Sequence, residues 1–319
     1  MKGQKMDIGV IGLGKMGLSM TRRLVRGGFR VVAFDSLKSR AKKSAGVGGK
    51  PAMSLEKLVD LLEPPRVLWM MLPAGSAVDV TVGRLRALLR KGDIVVDGGN
   101  SHYRDAIRHR HYLQRAGVHF MDVGVSGGIR GGEEGYCLMI GGETAVYKKM
   151  LPLLRALAPD GGYLYCGPSG AGHFVKMVHN GIEYGMMSSL GEGFAVLGQS
   201  PYAAGLDLAQ VARLWNRGSI IRSWLLELVG NVFGKDRELI GVKGVVEDSG
   251  EGRWFVQQAI QTDVPATLIA SALFQRFRSR QADPFADRLL AALRHEFGGH
   301  AMRKAGRKAG RAGVSRGGD

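Results

Sequence analysis

The sequence of 319 residues has few cysteines and no long apolar run, and each shortage excludes a class of protein. Two cysteines, Cys137 and Cys166, cannot form a disulfide framework in so long a chain, so we expect core thiols and a reducing cytosol. No segment approaches the roughly 18 to 20 apolar residues that cross a bilayer. Residues 1–17 resemble a signal peptide, but glycines interrupt the apolar run, and we interpret it as a first strand.

The chain has fewer acidic residues than lysines and arginines, and its formal net charge is +17. The last 19 residues hold six lysines and arginines against Asp319, which leaves about +12 on residues 1–300. This tail, residues 301–319, has no apolar periodicity, so we expect it to be disordered. The remaining charge suits an enzyme with anionic substrates. A nucleic-acid-binding protein is the alternative of another class, but the sequence offers no recognition helix and no aromatic RNA platform.

The pattern of apolar residues divides the chain into two parts. Through the first part, short apolar runs bounded by glycine alternate with helical patterns, which is typical of a mostly parallel sheet with crossover helices. After about residue 168 the strand patterns stop. We therefore predict an α/β domain over residues 1–168 and an all-helical substrate and dimerisation domain over residues 169–300. The helical segments expected there are 171–199, 206–217, 219–233, 252–261, 265–281 and 284–297.

A glycine motif, GLGKMG over residues 12–17, follows the first predicted strand and opens a helix. In this context it predicts a dinucleotide-binding, Rossmann-type fold, because its glycines permit a tight turn, close approach of a pyrophosphate and close helix packing. Asp35, at the end of the second strand, can accept both ribose hydroxyls of NAD and repels the 2′-phosphate of NADP. Lys38 and Arg40 weaken this preference without reversing it. We expect NAD as the cofactor, with NADP possible but weaker.

The segment GHFVKMVHNGIEYG, residues 172–185, carries five polar residues on one helical stripe. Four glycines lie in and around it, although each weakens a helix interior by roughly 1 kcal/mol relative to alanine. The pattern therefore indicates a helix that lines a cleft and lies close to another backbone. The stripe comprises Lys176, His179, Asn180, Glu183 and Tyr184, and the glycines are Gly170, Gly172, Gly181 and Gly185.

These motifs together resemble the decarboxylating 6-phosphogluconate dehydrogenase family, in its shorter, NAD-preferring form. The resemblance implies oxidation of 6-phospho-D-gluconate to D-ribulose 5-phosphate and CO2 in the pentose phosphate pathway. GLGKMG alone would not exclude a related NAD(P)-dependent 3-hydroxyacid dehydrogenase without decarboxylation, whereas residues 172–185 are highly specific. The matching segments run from residue 9 to residue 300 and are GLGKMG, MLPAG (71–75), DGGNS (97–101), VGVSGG (123–128), GHFVKMVHNGIEYG and RHEFGGH (294–300).

The resemblance also implies the roles of individual residues. Lys176 corresponds to the general base and acid and Glu183 to a second general acid, with Asn180 beside them. The implied cofactor contacts are Gly12, Leu13, Gly14, Lys15, Met16, Gly17, Asp35, Leu72, Pro73, Ala74 and Asn100. The implied substrate contacts are Asn100, Ser126, Gly127, Gly128, His179, Asn180, Tyr184, Arg276, Arg294 and His300. No metal site is expected, since the remaining histidines show no ligand spacing.

Two departures from the family pattern concern the binding of the substrate's phosphate and the association of subunits. Ser249 stands where long-form members have a phosphate-binding lysine, and the only cation of that segment, residues 248–254, is Arg253. Whether Arg253 binds the phosphate in place of that lysine is open. The helical part is also shorter than in the long form. The resemblance implies a homodimer or homotetramer in which Arg294 and His300 complete the neighbouring subunit's site.

Overall fold

The computed structural model describes residues 6–303, and its first half is built on one sheet of eight strands. All neighbouring strands run parallel except the sixth and seventh, which are antiparallel. The mostly parallel sheet predicted from the sequence is confirmed. The strands are β1 (Asp7–Ile11), β2 (Arg30–Phe34), β3 (Lys50–Ala52), β4 (Val67–Met70), β5 (Ile94–Asp97), β6 (His119–Ser126), β7 (Cys137–Gly142) and β8 (Tyr163–Gly167), in the spatial order β3-β2-β1-β4-β5-β6-β7-β8.

Helices cover both faces of the sheet, so the strands between the edge strands β3 and β8 are mostly buried on two sides, whereas β3 and β8 are partly exposed. In β4, Trp69 packs into one core, while Leu68 and Met70 pack into the other, because successive side chains point to opposite faces. This two-sided burial is why the strands read as unbroken apolar runs. The helices of this half are α1 (Lys15–Arg26), α2 (Lys38–Lys43), α3 (Leu55–Asp60), α4 (Ser76–Leu88), α5 (Tyr103–Gln114), α6 (Gly131–Glu134) and α7 (Thr144–Leu157).

Residues 38–60 contain elements that the sequence did not predict. The helices α2 and α3 have six residues each and β3 has three, which is too short to show a period. The one local signal is Ser54, whose side chain accepts a hydrogen bond from the Lys57 amide and caps α3. Their stability therefore comes from packing against the sheet rather than from local pattern.

From residue 168 to residue 303 the chain contains helices and loops without strands. The helix predicted over 219–233 begins only at Trp224. Ser223 stops it from starting earlier, because its hydroxyl accepts from the Leu226 amide and its own amide donates to Asn216 Oδ1. These helices are α8 (Ala171–Gly198), α9 (Leu208–Trp215), α10 (Trp224–Lys235), α11 (Glu251–Gln261), α12 (Thr267–Ser279) and α13 (Phe285–Gly298).

The last helix, α13, has no buried residue. Phe285, Leu289, Leu293 and Phe297 recur every fourth residue and so lie on one face, and each is 46% or more exposed. A helix of this length is marginal in water without a surface to pack on. The apolar face of α13 is therefore a surface that the single chain leaves uncovered.

The expectation of two core thiols is wrong for Cys137. Cys137 is exposed, because it is the first residue of β7 and pairs with Ser126, the last residue of β6. Cys166 is half-buried. Of the predicted tail, only residues 301–303 lie within the described part, and the rest lies outside it. Within residues 6–303, no helix combines the length and the hydropathy of a bilayer-spanning segment.

Candidate functional site

The glycine motif forms a tight turn between β1 and α1. Gly12 has a φ of +90°, and a Cβ there would lie 2.5 Å from the carbonyl oxygen of Met71. A Cβ on Gly17 would lie 1.9 Å from the Gly12 oxygen, so the turn itself requires both glycines. Gly14 caps α1 and faces open space. The first amides of α1, at Lys15 and Met16, thus point to a space that can hold a pyrophosphate.

Asp35 fastens this turn to the end of β2. Its Oδ2 accepts from the Leu13 amide at 2.7 Å and its Oδ1 from the Leu37 amide at 2.9 Å, and the residue is 6% exposed. A carboxylate has about four acceptor positions, so two remain for ribose hydroxyls. Arg40 lies 4.0 Å from Oδ2 and is half exposed. The arrangement suits a ribose with free hydroxyls.

The loops after β4 and β5 lie against each other. A Cβ on Gly99 would be 2.2 Å from the Leu72 oxygen, so Leu72 and the residue before Asn100 are in direct contact. Asn100 adopts a φ of +54°, its Oδ1 accepts from the Val125 amide at 3.0 Å, and its Nδ2 donates to the Val125 oxygen at 3.4 Å. Asn100 is thereby fixed between the cofactor side and β6, where ligands of open parallel sheets bind.

Helix α8 begins directly on the sheet, which explains why Gly172 is a glycine. A Cβ on Gly172 would lie 2.4 Å from the Met139 oxygen and 2.5 Å from the Asp122 oxygen. On the strand side, a Cβ on Gly124 would lie 2.3 Å from the Cβ of Lys176. The first two turns of α8 therefore lie directly on β6 and β7, and Lys176 is positioned over β6 with its Cβ against Gly124.

Asp122 holds the N-terminus of α8 in this place. The carboxylate is fully buried, and it accepts from the Gly170 amide at 2.7 Å and from the His173 amide at 3.0 Å. The first amides of a helix lack partners within the helix and carry partial positive charge. A strand residue about fifty positions earlier thus acts as the cap, which local sequence patterns cannot reveal.

A buried ion pair joins the end of β5 to α8. His173 Nε2 lies 3.4 Å from Asp97 Oδ2, and neither side chain is exposed. Asp97 also accepts from the Ser101 hydroxyl at 2.7 Å and from the Gly99 amide at 3.0 Å. Burial opposes both charges, but the pairing outweighs it, so the pKa of Asp97 is lowered and the pKa of His173 is raised. The pair connects the Asn100 loop with the turn before Lys176.

Lys176 is almost completely buried, at 5% exposure. Burial lowers the pKa of its amine, while the Glu183 and Glu251 carboxylates and Cys137 act in the opposite direction. The net lowering is what a lysine needs to act as a base near neutral pH. Its Nζ lies 3.5 Å from His179 Nδ1.

His179 connects the polar stripe of α8 with the loop after β6. Its Nε2 lies 3.2 Å from the Ser126 hydroxyl, while its Nδ1 lies 3.0 Å from Asn180 Oδ1 and 3.8 Å from Glu183 Oε2. The two residues after Ser126, Gly127 and Gly128, have positive φ angles of 116° and 55°. The predicted substrate contacts on α8 and on this loop are therefore in one place.

Tyr184 lies at the far end of the stripe with Arg276 stacked on it. The Arg276 guanidinium is 3.6 Å from the centre of the Tyr184 ring, and its Nη1 donates to the Glu247 oxygen at 2.8 Å. The Ser249 amide donates to the Tyr184 hydroxyl at 3.4 Å. The structure thus brings Arg276 and Tyr184 together, as a shared role in phosphate binding requires.

Arg253 is already engaged by a carboxylate. Its Nε donates to Asp248 Oδ2 at 2.6 Å and its Nη2 to Asp248 Oδ1 at 3.2 Å, and Arg280 donates to the same carboxylate at 2.9 Å. A guanidinium bound in this bidentate manner is not free for a phosphate without rearrangement.

Two predicted substrate residues lie apart from the rest. Arg294 is on the exposed helix α13 and His300 follows it, and within residues 6–303 neither side chain forms a hydrogen bond or an ion pair. The single chain therefore assembles the predicted site without them.

Sequence reasoning missed four buried charged residues around the site. Asp97 and His173 lie within the motifs DGGNS and GHFVKM, so both residues could have been recognised from the sequence as members of the site. Glu251 lies in the segment 248–254, and Asp122 lies directly before VGVSGG, but the burial of both depends on contacts between distant segments.

An apolar groove in the helical half is a separate feature. It encloses about 1060 Å³ between the C-terminal half of α8, α9 and α10, and its lining is mostly leucine, valine, alanine and phenylalanine. None of the predicted catalytic or cofactor residues lines it. Its apolar character suits packing rather than binding of a charged sugar.

Comparisons with known proteins agree across both halves of the chain. Residues 7–167 match the model of the NAD binding domain of 6-phosphogluconate dehydrogenase, and residues 172–292 match that of the 6-phosphogluconate dehydrogenase C-terminal domain. The NAD(+)-dependent, decarboxylating 6-phosphogluconate dehydrogenase of Haloferax volcanii is 44% identical over 298 residues, which cover 92% of this chain and 98% of that protein.

Solved structures agree on the fold. The 6-phosphogluconate dehydrogenase of Plasmodium falciparum, described in complexes with NADP+ and with 6-phosphogluconate, is 27% identical with a TM-score of 0.78 over 95% of this chain and 67% of that one. The 3-hydroxyisobutyrate dehydrogenase of Mycobacterium tuberculosis is 22% identical with a TM-score of 0.70 over 91% of this chain and all of that one, which shows a shared fold alone.

Proposed function

We propose a reaction for this chain, which belongs to the 6-phosphogluconate dehydrogenase family: oxidative decarboxylation of 6-phospho-D-gluconate to D-ribulose 5-phosphate and CO2 with reduction of NAD. The observation that carries the proposal is the buried amine of Lys176, which lies on the same face of α8 as Glu183 and Tyr184. The enzyme would act in the cytosol, in the pentose phosphate pathway.

Lys176 acts first as a base. In its neutral form the amine takes the proton of the C3 hydroxyl, while NAD, when bound, supplies the acceptor for the C3 hydride. The Asp35 carboxylate holds the cofactor's ribose, and the first amides of α1 hold its phosphates. Asn100, fixed to β6 through both of its polar side-chain atoms, contacts both the cofactor and the substrate.

Lys176 acts next as an acid. The ammonium form returns the proton to the C3 oxygen as the bond between C2 and the carboxylate carbon breaks, so that the electrons of this bond form an enol. Glu183 then donates a proton to the carbon that has lost CO2, while the neutral amine of Lys176 takes the O–H proton of the enol, so that the C3 carbonyl of the ketone forms. The loop of Ser126, Gly127 and Gly128 holds the carboxylate end of the substrate, and His179 and Asn180 hold its hydroxyls. Tyr184 and Arg276 hold the phosphate.

An initial-velocity assay tests the proposed function. We expect turnover of 6-phosphogluconate with release of CO2, and little turnover of short unphosphorylated 3-hydroxyacids. Comparable rates on both substrate classes, without CO2, would instead identify a non-decarboxylating 3-hydroxyacid dehydrogenase. Tight, salt-sensitive binding of RNA or DNA to a protein ending at His300 would favour the nucleic-acid alternative.

The preference for NAD over NADP is predicted to depend on the charge of Asp35. The substitution Asp35→Asn keeps an oxygen acceptor for one of the Leu13 and Leu37 amides and removes the negative charge that repels a 2′-phosphate. We expect the ratio of kcat/KM for NADP to that for NAD to rise about tenfold, or about 1.4 kcal/mol. Parallel assays with both cofactors measure it. The exposed Asp60→Asn is the control, and an unchanged ratio in Asp35→Asn would remove Asp35 from the ribose site.

We also propose a homo-oligomer in which α13 packs on a partner subunit and brings Arg294 and His300 to the partner's site. The uncovered apolar face of α13 supports this proposal, and the apolar groove between α8, α9 and α10 offers a surface of matching character. Arg294 and His300 make no side-chain hydrogen bond within residues 6–303, so they are available to a second copy.

The substitution Leu293→Asp tests this assembly. Because Leu293 is about half exposed in the single chain, an aspartate there should leave the fold intact but place a charge in the interface. We expect sedimentation to show dissociation, with a large rise in KM for 6-phosphogluconate. Ala291→Asp puts the same charge on the opposite face of α13 and should leave the oligomer unchanged. An intact oligomer in Leu293→Asp would contradict the proposed role of α13.

A further inference from the structure

Two fully buried side chains beside the site, Asp97 and His173, have no role in the proposed reaction. His173 Nε2 lies 3.4 Å from Asp97 Oδ2, and neither side chain is exposed. The contact is an electrostatic one, because within residues 6–303 neither ring nitrogen of His173 has an aligned hydrogen-bond partner. Burying two charges costs free energy, and well-packed apolar residues in place of such a pair are often as stabilising or more so. Stability alone is therefore a poor explanation for the pair.

The carboxylate of Asp97 holds the loop that carries Asn100. Its Oδ1 accepts from the Gly99 amide at 3.0 Å and its Oδ2 from the Ser101 hydroxyl at 2.7 Å, so the residues on both sides of Asn100 are bound to one carboxylate. Asn100 itself has a φ of +54°, in the left-handed region that few residues other than glycine adopt. The carboxylate thus holds the loop in the conformation in which Asn100 reaches β6.

The imidazole of His173 is attached to the segment that carries the amine. His173 lies three residues, about one helical turn, before Lys176. Lys176 lies on β6, because a Cβ on Gly124 would be 2.3 Å from the Cβ of Lys176, and Asn100 is bound to Val125, the next residue of that strand. The amine and the amide are thus held on adjacent residues of β6, and the buried ion pair is a second link between the two segments that carry them.

We infer that Asp97 and His173 are positioning residues of the active site, whose contact fixes the Asn100 loop relative to the start of α8 and so sets the distance between the Asn100 amide and the Lys176 amine. This inference rests on the proposed function, in which Asn100 contacts cofactor and substrate while Lys176 takes the C3 proton. Asp97 and His173 touch no reacting atom and exchange no proton in any step. They act on the rate through alignment, since a displacement of about 1 Å between reacting groups lowers a rate about 10²-fold.

The substitution His173→Leu tests the inference in a single-turnover reaction. Leucine removes the imidazole but leaves both hydrogen bonds from the Asn100 loop to Asp97 in place. With folded enzyme in excess over 6-phosphogluconate and saturated with NAD, the rate constant of NADH formation does not depend on the folded fraction. We expect this rate constant to fall between about tenfold and 10²-fold. The Kd for NAD should be nearly unchanged, because the glycine turn and Asp35 are far from the substitution in the fold.

A double variant separates alignment from stability. His173→Leu leaves the Asp97 charge buried and unpaired, which is strongly destabilising. Adding Asp97→Asn removes that charge, while the asparagine can still accept from the Gly99 amide and donate to the Ser101 hydroxyl. The double variant should therefore regain stability against denaturant but keep the low rate constant. If the rate constant recovers together with the stability, the pair only stabilises the fold and the inference is wrong.

Asp93 offers a matched control on the same strand. It directly precedes β5, at the end opposite Asp97, is 1% exposed, and lies 3.2 Å from Arg66 Nη1 through its Oδ2. Asp93→Asn thus breaks an equally buried ion pair far from the site, and it should lower stability while leaving the rate constant unchanged. Equal rate constants in His173→Leu and Asp93→Asn would overturn the inference.

Hydrogen exchange distinguishes this failure from failure of the proposed function, because it needs no turnover. If the pair links the two segments, His173→Leu should speed amide exchange not only in residues 170–176 but also in residues 98–102, across the contact, whereas Asp93→Asn should not. Unchanged exchange in residues 98–102 overturns the inference even if 6-phosphogluconate is the substrate. Faster exchange there, in a protein whose unsubstituted form does not turn over 6-phosphogluconate, supports the link and rejects the proposed function alone.

Discussion

Replacing Lys176 by methionine lowers kcat with 6-phosphogluconate by about 10³-fold, the loss expected when a positioned acid and base is removed. Methionine has a similar length and fills the same buried space, so the contact with Gly124 and the start of α8 are retained. The loss is chemical, because both the hydroxyl proton and the proton returned to the enol oxygen pass through the amine. Steady-state kinetics measures it.

The same variant should bind NAD nearly as well as the unsubstituted protein. The predicted cofactor contacts lie on the β1 turn, the end of β2 and the loops after β4 and β5, and fluorescence titration of the nucleotide would test them. Lys148→Met, at an exposed position of α7, is the matched control and should keep full activity. Residual turnover within tenfold of the unsubstituted enzyme would exclude Lys176 as the base.

Replacing Gly172 by alanine should lower the free energy of unfolding by more than about 3 kcal/mol, at the upper end for overpacking a core. The added Cβ would meet the oxygens of Met139 and Asp122 at 2.4 and 2.5 Å. Both are backbone atoms of strands, so neither can move aside as a flexible side chain does. Helix α8 would have to withdraw from the sheet, which would displace Lys176 and abolish activity as well.

Gly193→Ala is the control within the same helix. A Cβ at Gly193 meets no atom within 4 Å, so alanine should stabilise the protein by about 0.4 to 1 kcal/mol through the unfolded state. Denaturant unfolding of the two variants compares a glycine needed for contact with one that is not. Similar small effects in both would mean that α8 does not lie on β6 and β7 as closely as described.

The sequence predicted the parts of this molecule that repeat or that carry a motif. The parallel sheet followed from apolar runs bounded by glycine, and the turn at Gly12 followed from its spacing with Gly14 and Gly17. Of the glycines in residues 170–185, Gly181 meets the Phe255 ring and Gly185 only Ile269 at 3.9 Å, whereas Gly170 and Gly172 correctly indicated close approach of another backbone. They could not say which one, since the strands that Gly172 meets are defined by pairing across the sheet.

The features that the sequence did not predict depend on contacts between distant segments. Glu251 reads as an ordinary acidic residue in the first turn of a helix, and only the packing of α11 on α8 buries it. Cys137 was expected in the core, because the apolar pattern of a strand does not reveal that the first residue of β7 is exposed. Asp122 was missed because a helix cap is sought next to the helix, not on a strand.

The carboxylate of Asp122 makes the catalytic helix a joint product of both halves of the chain. The amides of Gly170 and His173 find their acceptor only once β6 stands in the sheet, so the first turn of α8 is incomplete without the nucleotide-binding half. The helical half expressed by itself would therefore carry Lys176 on a frayed end. The strand pattern gives way to a helical pattern near residue 168, but cutting the chain there would separate Lys176 and its helix from the carboxylate that holds them in place.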